Sequence, residues 1–139
     1  FVGPYLPLYT HFAIGNFIRD GLRGDRIKVN GDGTPYRSYL YAADLAIWLW
    51  TLLFNGKPCY PYNVGSDNMI TISDLAEIVA RVFQPQLEVI ITQKPLKERQ
   101  IERYVPSTKR ALSDFGLKSM IGLEEAIRRM VGFYAKNTV

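Results

Sequence analysis

A mixed α/β class of helices and short strands is predicted for this 139-residue chain. Two observations predict it. Segments with apolar residues at helical spacing alternate with short β-branched or alternating runs, and clusters rich in Gly, Pro and Asn separate them. The strand-like runs are too few and too short for a complete doubly wound sheet.

The elements follow in order. Phe1 to Thr10 holds Gly3, Pro4 and Pro7 and reads as loop after a strand end. From His11 to Arg23 the apolar residues Phe12, Ile14, Phe17, Ile18 and Leu22 predict a helix, with Gly24 as its stop. "RIKVN" has strand character, "NGDGTP" is a turn cluster, and "YRSYLY" alternates as a strand does. Ala42 to Phe54 is helical, with Asp44 in the first turn favouring the positive helix end and Asn55-Gly56 as a C-terminal cap. Its apolar residues surround most of the helix, so it is either central or covered by something outside the chain.

"CYPYNVG" is expected to be a short strand ending in a loop. Ser73 then caps a helix through about Phe83, with Leu75, Ile78, Val79 and Val82 as its buried face, and Pro85 stops it. "LEVIIT" is a strand and "QKPLKERQIER" a charged loop. Thr108 to Phe115 is a short helix. Gly122 to about Lys136 is the last, opened by Glu124 and Glu125, with Arg128 and Arg129 further on.

Composition narrows the function classes. A net charge of +4, with basic residues scattered rather than striped, suits an anionic small molecule better than a nucleic acid. The single cysteine, Cys59, excludes an internal disulfide and a cysteine-based zinc site, and a reducing, cytoplasmic setting is expected. Ala42 to Phe54 is too short to span a membrane, and no basic-then-apolar signal opens the chain. "FVGPYLP" reads like a strand end running into a loop, so a longer protein with this chain as a fragment is expected. The alternative is a complete small domain trimmed at its start.

The chemistry that is missing is informative. No G-x-G-x-x-G follows a strand; "GDG" leads into Thr-Pro-Tyr and a strand, so it builds no phosphate cradle at a helix start. No G-x-x-x-x-G-K-[ST] occurs. His11 is the only histidine, which leaves no His-based metal cluster and no Ser-His-Asp set. No catalytic residue is therefore assigned. What remains are polar residues at element ends: Arg37 after a glycine turn, Asn16 in the apolar start "FAIGNFI", and Lys97, Arg99 and Arg103 in one loop. Guanidinium forks and amide donors converging from separate segments are what a diphosphate demands. The plainer alternative makes them solvated residues or structural ion pairs.

The order "VGP … NFIRDGLRGDRIKVNGDGTPYRSYLYAADLA … YNVGSDNMITISDLAEIV" resembles the C-terminal part of the extended short-chain dehydrogenase/reductases. These are the NAD-dependent nucleotide-sugar epimerases and dehydratases, and the dTDP-glucose 4,6-dehydratase type is the nearest in pattern. The resemblance implies that residues 1–139 form the nucleotide-sugar (substrate) binding domain of a cytoplasmic, homodimeric enzyme. An N-terminal Rossmann domain, not found in this sequence, would carry NAD and a Tyr-x-x-x-Lys pair; Lys109 stands five after Tyr104 and does not match. The chain itself is then expected to hold no cofactor.

By the same resemblance Arg37 contacts the nucleotide's phosphates and Asn16 helps fix the diphosphate. The backbone of Lys28, Val29 and Asn30 meets the pyrimidine edge. Asp44 is structural, and Asn63 braces its loop. Departures are also visible: Asn30 stands where the family commonly has an aromatic residue, and Phe1 where it often has asparagine. Lys97 and Gln100 fall in the register of a late phosphate-binding pair, with Arg99 in a shifted one. The competing function is a non-enzymatic protein-interaction module that uses an aromatic-rich surface, suggested by the apolar Leu45 to Phe54 helix and by "FVGPYLPLY".

Overall fold

A computed structural model of the chain describes residues 1–95 and 100–137. Helix α1 (Ala13–Leu22) forms because Ile14, Phe17 and Ile18 recur at helical spacing and bury one face. Gly21 lies on that face, where a Cβ would run into the Phe83 ring. After Gly24, strand β1 (Ile27–Val29) alternates, with Ile27 and Val29 in the core and Lys28 outward.

The turn after β1 is closed by the Asp32 carboxylate, which accepts from the Thr34 N–H at 3.0 Å and its hydroxyl at 2.9 Å. Gly33 has φ +75°, and a Cβ there would also lie 2.8 Å from the Ser73 Cβ. Both facts exclude a larger residue at this turn. Strand β2 (Tyr36–Ser38) follows. It is shorter than "YRSYLY" suggested, because Leu40 and Tyr41 leave the ladder. Leu40 instead accepts from the Val2 N–H at 3.0 Å, and Val2 forms an isolated bridge with Tyr41.

Helix α2 (Ala42–Asn55) ends on Gly56, whose N–H donates to Leu52 at 2.9 Å from an extended rather than left-handed conformation. Asp44 and Trp48 are its buried residues. Around it, Ile47, Leu49, Trp50, Leu53 and Phe54 are 52–73 % exposed, and the Trp50 and Phe54 rings stack at 5.5 Å. Of the two options the sequence left for this helix, a central position is excluded within the described residues.

"CYPYNVG" is not a strand. Cys59 takes φ +57°, and the Pro61 carbonyl accepts from the Arg110 side chain at 2.5 Å rather than from a neighbouring strand. Strand β3 (Met69–Thr71) precedes helix α3 (Ile72–Val82). The cap of α3 is Thr71, not Ser73. Its hydroxyl accepts from the Asp74 N–H at 3.0 Å and donates to the Asp74 carboxylate at 2.6 Å, so the T-x-x-D spacing decides the start. Leu75, Ala76, Val79 and Ala80 are its buried residues, and Ile78 and Val82 pack at the margin.

Strand β4 (Val89–Ile91) pairs in parallel with β1. Strand β5 (Arg103–Tyr104), in what read as plain loop, pairs in parallel with β2, whose other edge takes β3 antiparallel. Helix α4 (Lys109–Phe115) ends in left-handed Gly116. Helix α5 (Leu123–Asn137) carries Glu124–Arg128 and Glu125–Arg129 pairs at one-turn spacing. The main core joins α1, α3, α5 and β1, and a smaller cluster of Leu40, Trp48, Ala111 and Leu117 lies under α2.

Candidate functional site

A cavity of about 800 Å³ opens where the segment entering α1 faces the end of β1 and the β1–β2 turn. Four of the residues singled out in the sequence line it: Asn16 from the first turns of α1, and Lys28, Val29 and Asn30 from β1 and its exit. They converge because α1 and β1 pack against each other in the core, which brings one helix start beside one strand end.

The strand geometry sorts the backbone groups. Ile27 donates its N–H to Glu88 at 2.9 Å, and the Val29 carbonyl accepts both the N–H and the hydroxyl of Thr92 at 3.0 Å. Strand alternation turns the N–H and C=O of Lys28 and Asn30 the other way. That is the edge of β1 that no strand pairs among the described residues. The Asn16 carbonyl oxygen accepts from Arg19 at 3.0 Å, which leaves the amide N–H groups as its donors toward a ligand.

Arg37 does not line this cavity. Its Nη2 pairs with Glu102 Oε2 at 3.0 Å and its Nη1 donates to the Tyr36 carbonyl at 2.8 Å. Glu102 does line the cavity, so the guanidinium stands at its rim. The pair is open to water, at 32 % and 57 % side-chain exposure. Lys97 and Arg99 lie outside the described residues. Arg103 sits over the Tyr36 ring at 4.8 Å and lines a second cavity of about 540 Å³ with Phe1, Ser38 and Asn63.

Asp44 is 2 % exposed and accepts the N–H groups of Met120 and Ile121 at 3.0 and 3.1 Å. It is a structural tie, as expected. Asn63 braces its loop by donating to the Ser107 carbonyl at 3.1 Å. Burial pushes the Tyr39 phenol up to about 12, with the nearby Arg37 charge opposing the rise. Sequence reasoning missed Tyr9, His11, Asp32 and Glu102 as cavity residues. They sit in loops or beside a two-residue strand, where periodicity carries no signal.

Among the described residues, no left-handed glycine stands where a dinucleotide cofactor would need one. The left-handed glycines are Gly24, Gly33 and Gly116; the first two lead into strands and the third ends a helix. None forms the strand-to-helix turn that cradles a pyrophosphate. Among the described residues, no group of three or more His, Cys, Asp or Glu side chains is placed to hold a metal ion. No helix among them is long and apolar enough to cross a membrane.

The comparisons with known proteins agree with this fold. The model of the NAD dependent epimerase/dehydratase family matches residues 1–65. UDP-glucuronic acid decarboxylase 6 of Arabidopsis thaliana is 29 % identical over 129 residues, covering 92 % of this chain and 36 % of that protein. UDP-glucuronic acid decarboxylase 1 of the same plant is 30 % identical, covering 93 % of this chain and 29 % of that protein. The chain thus spans about a third of the length of the curated relatives it matches.

Among solved structures, dTDP-glucose 4,6-dehydratase of Bacillus anthracis, in complex with NAD, superposes with a TM-score of 0.77 at 22 % identity. It covers 97 % of this chain and 42 % of that one. UDP-glucose 4-epimerase of Thermotoga maritima, solved with UDP-glucose, gives 0.81 at 22 % identity over 99 % and 44 %. Residues 1–65 are thus similar to the NAD dependent epimerase/dehydratase family, and the chain shares its fold with these solved structures. Nothing in these matches supports a non-enzymatic interaction module.

Proposed function

We propose that this chain is the nucleotide-sugar-binding part of a longer NAD-dependent nucleotide-sugar dehydratase, epimerase or decarboxylase, of dTDP-glucose 4,6-dehydratase type. The observation that carries the reading is the convergence of Asn16, Lys28, Val29 and Asn30, chosen from the sequence, on one cavity. Asn16 offers amide donors to a diphosphate, and the open edge at Lys28 and Asn30 offers hydrogen bonds to a base. The relatives that act on UDP-glucuronic acid and UDP-glucose support the ligand class.

Arg37 is assigned to the phosphates, and magnitudes favour it despite Glu102. An exposed ion pair is worth about 0–1 kcal/mol, whereas charge-assisted bonds to a phosphate contribute about 1.5–3 kcal/mol. A diphosphate entering the cavity therefore draws the guanidinium from the carboxylate. Lys97 and Arg99 belong to the same assignment.

The remaining polypeptide carries NAD, which accepts a hydride from the sugar and returns it, together with the catalytic residues. It also covers the apolar outer face of α2. The whole enzyme is read as a cytoplasmic homodimer that engages neither nucleic acid nor membrane.

The test is calorimetric titration of the full-length protein with UDP-glucose and dTDP-glucose, for wild type and Arg37→Ala. The expected loss in the variant is roughly ten- to hundredfold in affinity. Absence of binding by the wild type, or equal affinity in the variant, refutes the reading.

A further inference from the structure

A base needs a flat partner as well as hydrogen bonds, and the open edge of β1 supplies only the second. Asn30 ends that edge with an amide and no ring. Of the Phe and Tyr rings that line the cavity, Phe17 is 3 % exposed within the core, whereas Tyr9 is 74 % exposed. Tyr9 is held without being covered. The guanidinium carbons of Arg19 and Arg23 stand 5.9 and 5.6 Å from its ring centroid, within cation–π range.

Arg19 is itself fixed, by Asp20 at 2.7 and 3.1 Å and by Asn16 at 3.0 Å. The ring is thus tethered at the cavity through its two cations while most of its surface faces water. An exposed aromatic so fixed beside a polar, unpaired strand edge is an arrangement that a heteroaromatic ligand completes.

We propose that Tyr9 is the stacking platform for the base of a nucleotide ligand in this cavity, with the backbone of Lys28 and Asn30 reading the base edge. This rests on the nucleotide-diphosphate reading of the cavity given above. Stacking tolerates any base because each has a π-face, so the choice among bases falls to the strand edge.

The test uses full-length protein, wild type and the variants Tyr9→Phe and Tyr9→Ala, titrated with UDP and with inorganic pyrophosphate. UDP affinity is expected to fall roughly tenfold or more in Tyr9→Ala and to stay unchanged in Tyr9→Phe, since stacking needs the ring and not the hydroxyl. Pyrophosphate affinity is expected to be equal in all three. The uracil H5 and H6 resonances of UDP should move upfield on binding to wild type and Tyr9→Phe, and not to Tyr9→Ala. Unchanged UDP affinity in Tyr9→Ala, or equal losses for UDP and pyrophosphate, overturns the platform and leaves the cavity reading standing. Failure of wild type to bind either probe overturns both.

Discussion

Asp44→Ala is expected to be among the most damaging single changes in the chain. The carboxylate is 2 % exposed, and one oxygen accepts two backbone N–H groups, from Met120 and Ile121, at 3.0 and 3.1 Å. Each charge-assisted bond contributes about 1.5–3 kcal/mol, and since both share one acceptor the pair is taken as about 3–4 kcal/mol. Asp44 also lies in the first turn of α2, where the helix dipole adds about 0.3–1 kcal/mol for an anion.

Asp44→Asn keeps an acceptor oxygen and loses the charge, so its cost is about 1–2 kcal/mol. Alanine leaves both N–H groups without their acceptor and costs about 3–5 kcal/mol. Thermal and urea unfolding followed by circular dichroism separates the two variants, at about 3 °C per kcal/mol for a chain of this size. Equal costs for alanine and asparagine would refute the argument from two shared N–H donors.

Two further outcomes follow from the same structure. The Tyr39 phenol is held at about 12 against an ordinary 10.0, so between those values an unfolded chain has lost a proton that the folded one keeps. That share of stability is intact below pH 10 and is lost as pH rises toward 12; Tyr39→Phe should make the alkaline decline shallower, and an unchanged slope in urea titrations refutes it. Leu53 is 70 % exposed, so Leu53→Lys in the 139-residue chain should shift stability by no more than about 0.5 kcal/mol. In a full-length protein whose remaining part covers α2, the same change should cost about 2 kcal/mol or more through burial of the charge, and equal effects in both would refute the covering.

Much of this fold was legible because its helices are strongly periodic. Ile14, Phe17 and Ile18 announce α1, and Leu75 and Val79 announce α3, by spacing alone. The misreadings lie where local chemistry competes with pattern. Ser73 looks like a cap, but Thr71 stands three before Asp74 and completes a reciprocal pair that Ser73 cannot. "CYPYNVG" carries β-favouring residues, yet its Pro61 carbonyl is claimed by Arg110 and its backbone turns at Cys59.

At the site, Asn16, Lys28, Val29 and Asn30 were legible because they lie at element ends that the core holds together. The pairing of Arg37 with Glu102 was not. It crosses 65 residues of chain and depends on β5, a strand of two residues that no periodicity can reveal.

The packing beneath α2 has a consequence for cooperativity. Leu40, Trp48, Ala111 and Leu117 make a thin second nucleus beside the much larger one of α1, α3 and α5. Segments with few buried neighbours open first under native conditions. Strand β2 leads through Leu40 directly into α2, so Arg37 lies only a few residues of backbone from that helix. Under the proposed assignment of Arg37 to the phosphates, readiness to grip an anion and completeness of assembly would be linked through a few residues of backbone.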